Sequence, residues 1–405
     1  MGFRSSDLCI RFADLIGASV SVVKQVVLKV HSRCNLACDY CYMYEHADQR
    51  WRMRPMVMSP PTVHALSSAL AVHARKHRLP AIGVVLHGGE PLLAGVDGLT
   101  HIMESIRAAV SPETAVQFSL QTNGTLLNLD FLDLFVRFGV RVGVSIDGDR
   151  AAQDRHRRSA AGTGSYPAVA RALALLGTAP YESVFSGVLA TIDLANDPVA
   201  TYESLLTHRP SQMDLLLPHG NWTTPPPGKP PHELAPYAAW LIAVFDRWYG
   251  ASIRETGIRL FDAIIALLLG GASPTRQVGA SGASIVTIET DGSIEGDDAL
   301  KTTHADVVET GLHIDTHSID EAAAHPAIAG AGGALAPAQD CVSCPVFSVC
   351  GGGLPAHRYR ADSGFNNPSV YCADLFALID HIRRRLQRDL SARAGRPTIR
   401  EEALC

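Results

Sequence analysis

Arg33-Cys34-Asn35-Leu36-Ala37-Cys38-Asp39-Tyr40-Cys41-Tyr42 places three cysteines within eight residues, in a C-x3-C-x2-C spacing. Val26 to His31, directly before it, reads as a short buried strand, rich in β-branched residues and too short for a helix. Three thiolates at the end of a strand can wrap one face of a small inorganic cluster. The loop offers no fourth cysteine, so a tetrahedral four-thiolate site is incomplete. A [4Fe–4S] cube held by three cysteines leaves one iron open to a non-protein ligand. Two other readings of the spacing stay open: a zinc knuckle borrowing His31 or His46, and three unrelated core cysteines.

The chain around this stretch has 405 residues, enough for one large domain and a smaller one. It is 47% hydrophobic and 19% charged, with net charge −5, so a large core is available and a nucleic-acid partner is not expected. Nine cysteines stand at 9, 34, 38, 41, 341, 344, 350, 372 and 405. An odd count without a signal-type N-terminus argues against a secreted disulfide framework. Cys9 and Cys405 read as incidental. The longest apolar run, Ala263 to Leu269, is too short to span a bilayer. The expectation is a cytoplasmic protein with no membrane partner.

From Val26 onward, strands alternate with helix-length segments. Further strands are expected at Ile82–Leu86, Val116–Leu120, Val142–Ile146, Val184–Thr191 and Met213–Leu217. Helices are expected at Thr62–His77, Leu99–Val110, Asp130–Phe138 and Tyr166–Leu176. Six β-then-α units imply an α/β fold with a parallel sheet bent toward a barrel, with active residues at the strands' C-terminal ends. Pro225-Pro226-Pro227-Gly228-Lys229-Pro230-Pro231 interrupts the pattern as a stiff boundary. Tyr237 to Leu269 follows as helix, broken near Gly250. Asp291-Gly292 marks a hairpin between Ser284–Glu289 and Ser293–Glu295. Residues 320–339, rich in alanine and glycine, read as loop with short helix, and Leu375–Leu390 as an amphipathic helix. The domains expected are 1–24 (lead-in), 25–222 (partial barrel), 223–271 (proline-rich linker and helical bridge), 272–374 (cysteine-bearing domain) and 375–405 (terminal helix and tail).

His87-Gly88-Gly89-Glu90-Pro91 ends the second strand, Gln121-Thr122-Asn123-Gly124 the third and Ser145-Ile146-Asp147-Gly148 the fourth. Together with the cysteine triplet, this order resembles the radical SAM superfamily. The resemblance implies that Cys34, Cys38 and Cys41 hold a [4Fe–4S] cluster whose open iron is chelated by S-adenosylmethionine (SAM). It implies that Tyr40 lies near the adenine, that Gly88, Gly89 and Glu90 receive the methionine amino group, and that Gln121, Asn123 and Ser145 line the SAM site. Arg157, ten residues after Asp147, would pair with the SAM carboxylate, which a planar guanidinium fork suits.

Cys341-x2-Cys344-x5-Cys350-x21-Cys372 can satisfy one closed [4Fe–4S] site or a structural zinc. Behind a radical SAM barrel it resembles the SPASM extension, which holds auxiliary clusters. The chain departs from full SPASM domains at Gly279-Ala280-Ser281-Gly282, Asp297-Asp298 and Leu354, where cysteines are missing, so one auxiliary cluster is expected. Asp298 would then face the substrate cavity as a proton acceptor, or be an ordinary exposed hairpin aspartate.

Leu217-Pro218-His219-Gly220-Asn221-Trp222, Glu289 to Glu295, and Cys350-Gly351-Gly352-Gly353 through Cys372 resemble the FxsB-type peptide maturases. That resemblance implies a C–C crosslink, a cyclophane, between an aromatic ring and a nearby β-carbon of a ribosomal precursor peptide. It also implies a flavodoxin- or ferredoxin-like electron donor. Residues before Val26 are too few for a winged-helix leader-binding domain, so the barrel surface or a separate protein is expected to recognise the leader. The rivals are formylglycine formation of the anaerobic sulfatase-maturase type, against which the missing cysteines count, and a non-catalytic zinc or iron–sulfur scaffold.

Overall fold

The strand Gln25–His31 (β1) alternates in the manner its sequence requires: Val26, Leu28 and Val30 are fully buried in the core, while Val27 on the other face lines a central cavity. This computed structural model describes residues 22–229, 234–273, 275–279, 285–329 and 337–394. Most of the 1–24 lead-in, Cys9, Cys405 and the 280–282 part of the departure from SPASM domains lie outside those residues.

Helix Pro60–Lys76 (α1), capped by the Ser59 side chain, leads to strand Ala81–Gly88 (β2). The alternation continues through Gly95–Val110 (α2), Ala115–Thr122 (β3), Leu129–Phe138 (α3) and Arg141–Ser145 (β4). Asn128 caps α3 and Gly139, at φ 64°, ends it in the left-handed conformation. After Arg150–His156 (α4) and Tyr166–Leu176 (α5) come Phe185–Thr191 (β5), Pro198–Leu206 (α6) and Gln212–Leu216 (β6). Strands β1 to β6 lie side by side in chain order and are parallel throughout. This is the α/β partial barrel anticipated from the repeating units. One face of β2 is buried under the helices and the other is half-buried.

The expected helical bridge is two helices, Pro236–Tyr249 (α7) and Arg259–Leu268 (α8). Between them the two-residue strand Gly257–Ile258 (β7) extends the sheet beyond β6. At the opposite edge, Val286–Ile288 (β8) pairs parallel with β1, followed by antiparallel Ser293–Glu295 (β9) and Glu309–His313 (β10). The hairpin is therefore continuous with the barrel sheet, its turn made at Asp291-Gly292 with Gly292 at φ 93°. Short helices follow at Ile319–Ala324 (α9), Pro326–Ala329 (α10), Gln339–Val342 (α11) and Phe347–Cys350 (α12), before the long helix Cys372–Ala394 (α13).

Buried polar contacts clip the proline-rich stretch and the last helix to the barrel. Tyr371 Oη donates to the Pro218 carbonyl at 2.6 Å and Tyr237 Oη to that of Pro227, also at 2.6 Å. Asp374, in the first turn of α13, accepts the Ala238 N–H at 3.0 Å and forms an ion pair with Lys229. Both side chains of that pair are almost wholly buried. Removing one member leaves an uncompensated charge in a low-dielectric interior. Lys229→Met is expected to lower the free energy of urea unfolding by about 3–5 kcal/mol. A loss below about 1 kcal/mol would show that the pair does not hold this junction.

Candidate active site

The cysteine loop leaves β1 and crosses the C-terminal ends of the next three strands, fastened to each. On β2, Gly89 N donates to the His31 carbonyl and Glu90 N to the Arg33 carbonyl, both at 3.0 Å. A Cβ on Gly89 would lie 1.9 Å from Tyr44 Oη and 2.5 Å from the Arg33 carbonyl, so only glycine permits this approach. On β3, Asn123 donates to Asn35 Oδ1 at 2.9 Å and to Cys34 Sγ at 3.6 Å. Beyond β4, Tyr40 Oη donates to Asp147, and Ala37 N bonds the Arg158 carbonyl at 2.7 Å.

These ends surround a cavity of about 420 Å³. The structure brings Cys34, Cys38, Cys41, Tyr40, Gly88, Gly89, Gln121, Asn123, Ser145, Arg157 and Asp298 to its wall. Gln121 Nε2 and Ser145 Oγ are bonded at 3.0 Å across β3 and β4. Arg157 lies against the Tyr40 ring, its Nε 2.9 Å from Asp147. Burial opposes the guanidinium charge, but Asp147 outweighs it and holds the Arg157 pKa above its usual value.

Glu90 does not line the cavity. Fully buried, its carboxylate accepts from Leu92 N at 3.0 Å, Thr122 Oγ1 at 2.7 Å and Asn123 N at 2.8 Å. It ties the β2 and β3 loops together rather than facing a ligand. Burial raises its pKa to about 7 against the pull of those three donors.

The three thiols suit a cluster better than a single ion. A zinc ion with bonds of about 2.3 Å needs sulfurs within about 4 Å of one another. Among the described residues, the groups converging within 4.8 Å do not include these cysteines. The Nδ1 of His31, a candidate zinc ligand, accepts the Arg33 N–H at 3.1 Å. Burial pushes Cys34 and Cys38 up to about 11 and raises Cys41, so binding a metal there would have to displace their protons.

Asp298 is not an exposed hairpin aspartate. It is 7% exposed, at the start of a short 3-10 turn, and paired with Lys29 and with Lys301 (2.9 Å). Burial would raise its carboxyl; Lys29 and then Lys301 overcome this and hold it below the carboxylate range. Lys301 also meets Glu289 at 2.6 Å and Glu295 at 2.8 Å, so its ammonium fills the space among three converging carboxylates. Lys29 Nζ lies 3.0 Å from Nδ1 of His87, its partner in the β1–β2 register; burial and Lys29 together lower His87 to about 3.

Lys29, His87, His219 and His357 carried no assigned role in the sequence reading. For Lys29 the signal was present: a cation on the cavity-facing phase of an otherwise apolar strand. His219 and His357 line the cavity with ring centroids 5.5 Å apart, each with one buried nitrogen that has no hydrogen-bond partner. Cys341, Cys344, Cys350 and Cys372 stand outside the cavity wall, and each of Cys350 and Cys372 is influenced by Cys341 and Cys344. Burial raises Cys350 to about 12. Leu354 and His357, just beyond Cys350, reach the cavity.

Residues 28–197 match the family model of the Radical SAM superfamily. The chain thus carries a radical SAM domain, a class that implies SAM and a [4Fe–4S] cluster, and the cysteine triplet and strand-end motifs all fall within it. A cysteine-type anaerobic sulfatase-maturating enzyme of Clostridium novyi (strain NT) is 24% identical over 277 residues, covering 67% of this chain and 72% of the relative. A serine-type enzyme of Klebsiella aerogenes is 34% identical over 144 residues, covering 35% of this chain and 34% of the relative. In structure, the chain resembles native anSMEcpe with bound AdoMet (TM-score 0.78, 21% identity, 91% of this chain and 99% of that one). It also resembles Streptococcus suis SuiB bound to precursor peptide SuiA (TM-score 0.58, 12% identity, 87% and 76%). These structural likenesses establish the fold. The expectation of a cyclophane-forming enzyme is overturned by the sulfatase-maturating relatives, two of which match about two thirds of the chain.

Two outcomes test this geometry. Gly89→Ala should displace the cysteine loop and reduce iron bound per chain after anaerobic reconstitution to less than half, with far-UV circular dichroism retained; full iron loading would show that the approach is not required. Glu90 has a raised folded pKa, so its contribution to stability is complete below pH 4.5 and is lost as pH rises through about 7. In cluster-free protein, the wild-type stability measured relative to Glu90→Gln should therefore fall by about 3 kcal/mol across that window. A difference that does not change with pH would exclude this linkage.

Proposed function

We propose that the protein is a radical SAM oxidase of a peptide side chain, converting a cysteine or serine to formylglycine. The observation that carries this reading is the likeness to anaerobic sulfatase-maturating enzymes along two thirds of the chain. A cavity that combines the cysteine triplet with a buried, ionised aspartate supports it.

Cys34, Cys38 and Cys41 would hold the SAM-binding cluster, and Cys341, Cys344, Cys350 and Cys372 an auxiliary one. When bound, these groups supply a 5′-deoxyadenosyl radical that removes a hydrogen atom and a sink for one electron. The chain's own residues do the rest. Gly88 and Gly89 leave room for the methionine end of SAM, and Arg157, held by Asp147, takes its carboxylate. Tyr40, Gln121, Asn123 and Ser145 complete that wall. The Lys29 and Lys301 ammonium groups keep Asp298 ionised and oriented at the far side of the cavity. After the hydrogen atom is removed, loss of one electron and of the hydroxyl or thiol proton gives the aldehyde from serine and a thioaldehyde from cysteine, which water hydrolyses to the aldehyde with release of hydrogen sulfide; Asp298 is the proton acceptor. A group that has lost a hydrogen atom from its carbon is a much stronger acid than an ordinary alcohol or thiol. The low basicity of Asp298 therefore does not bar the transfer. An external flavodoxin- or ferredoxin-like protein would deliver the reducing electron.

The test is anaerobic incubation of the reconstituted protein with SAM, dithionite and short peptides carrying a sulfatase-type cysteine or serine. A hydrazide-reactive aldehyde is expected in the peptide, together with 5′-deoxyadenosine. Deoxyadenosine without aldehyde on either peptide would reject formylglycine formation and leave the radical SAM assignment standing. Asp298→Asn should lower aldehyde formation about 100-fold while deoxyadenosine still forms. An unchanged aldehyde rate would remove Asp298 from the mechanism.

A further inference from the structure

Where α9 packs against α1, two histidines and an aspartate that belong to neither cysteine group converge. His73 lies in the last turn of α1 and His77 is its C-terminal cap, so the two imidazoles stand four residues apart on one face. Asp320, in the first turn of α9, meets both: its Oδ1 is 2.9 Å from His73 Nδ1 and 2.8 Å from His77 Nε2. One ligand atom from each residue lies within 4.8 Å of the other two.

The tautomer of His73 makes this more than an ion pair. Its Nε2 lies 2.8 Å from the Val23 carbonyl, which can only accept, so Nε2 carries the hydrogen. In the neutral ring, Nδ1 then presents a lone pair to a carboxylate oxygen. That nitrogen is buried, on a side chain 2% exposed, and although Asp320 Oδ1 lies 2.9 Å away the two are not aligned as a hydrogen bond. Two acceptors facing each other require a proton or a metal cation between them, and a metal is what the poor hydrogen-bond alignment favours. Lys76 does not supply it, because its ammonium is on the other carboxylate oxygen, Oδ2, at 2.7 Å. A ring that donates one N–H to a backbone carbonyl while aiming its second nitrogen at a shared point is the usual arrangement of a metal-bound histidine.

We propose that His73, His77 and Asp320 bind one divalent ion of the zinc class, with water as fourth ligand, pinning α9 to α1. Two imidazole nitrogens and a monodentate carboxylate suit zinc and leave one tetrahedral position open. Across such an ion the nitrogen-to-oxygen separation is roughly 3.3 Å, so the partly exposed Asp320 carboxylate withdraws by a few tenths of an ångström. The donors are nitrogen and oxygen only, which separates this site chemically from both cysteine sets.

The test uses the full chain, reconstituted anaerobically with iron and sulfide, equilibrated with zinc chloride and then desalted. About one zinc per chain is expected in addition to the iron, with an X-ray absorption spectrum showing nitrogen and oxygen ligands and no sulfur. His77→Ala and Asp320→Asn should each lose that zinc with iron per chain unchanged, whereas Lys76→Ala, which removes only the ion pair, should retain it. Zinc binding should also raise the melting temperature of the wild type and of Lys76→Ala and leave that of His77→Ala unchanged. Wild-type protein that binds no more zinc than His77→Ala, or zinc with sulfur ligands, would overturn the proposal. The cluster would then be an imidazolium–carboxylate pair.

Discussion

The whole candidate site depends on one close backbone approach, between the start of the cysteine loop and the end of β2. With no side chain at Gly89, the His31 and Arg33 carbonyls come within hydrogen-bond distance of the next strand. The loop is thereby sewn to the sheet as an extension of β1–β2 pairing. Glu90 makes the next link, its carboxylate accepting from Leu92, Thr122 and Asn123. Asn123 in turn touches Cys34. A carboxylate that at first sight belongs to a ligand is thus a structural clamp, and its raised pKa records what burying it costs.

A second organising constraint is the set of charges beneath the cavity. Lys29 enters from β1 and Lys301 from the turn after the hairpin to pair with Asp298, Glu289 and Glu295, and Arg50 and Arg54 add their charges at Glu295. Buried charges of this kind persist only when paired on every side. The hairpin of the C-terminal segment is therefore joined to the barrel electrostatically as well as through the β8–β1 pairing. The cavity gains a wall that combines a thiol-lined rim with a carboxylate held in its ionised form by two lysines.

Resemblance carried the sequence reading accurately to the level of the radical SAM domain and too far beyond it. The cyclophane expectation leaned on short C-terminal stretches around Cys350 and Cys372, and on cysteines that are missing. Missing cysteines report on how many clusters a chain can hold, not on which bond is made. Asp298 was legible in the sequence as a candidate at the end of the hairpin, but its burial between Lys29 and Lys301 was not.

The sequence by itself determined the order of the strands, their parallel arrangement and the strand-end residues that gather around the cavity. Each of those is written locally, in a period of two, a glycine pair or a cysteine spacing. Caps such as Asn128 and Gly139 were equally local. Whether Glu90 faces a ligand or a backbone, whether Asp298 is exposed or held between two lysines, and that His219 and His357 share one wall were decided only by the tertiary structure. So was the meeting of His73 and His77 with Asp320. These contacts join residues that are tens to hundreds of positions apart. No local pattern encodes such a partner, because burial and charge pairing exist only once the sheet has brought the two ends of the chain together.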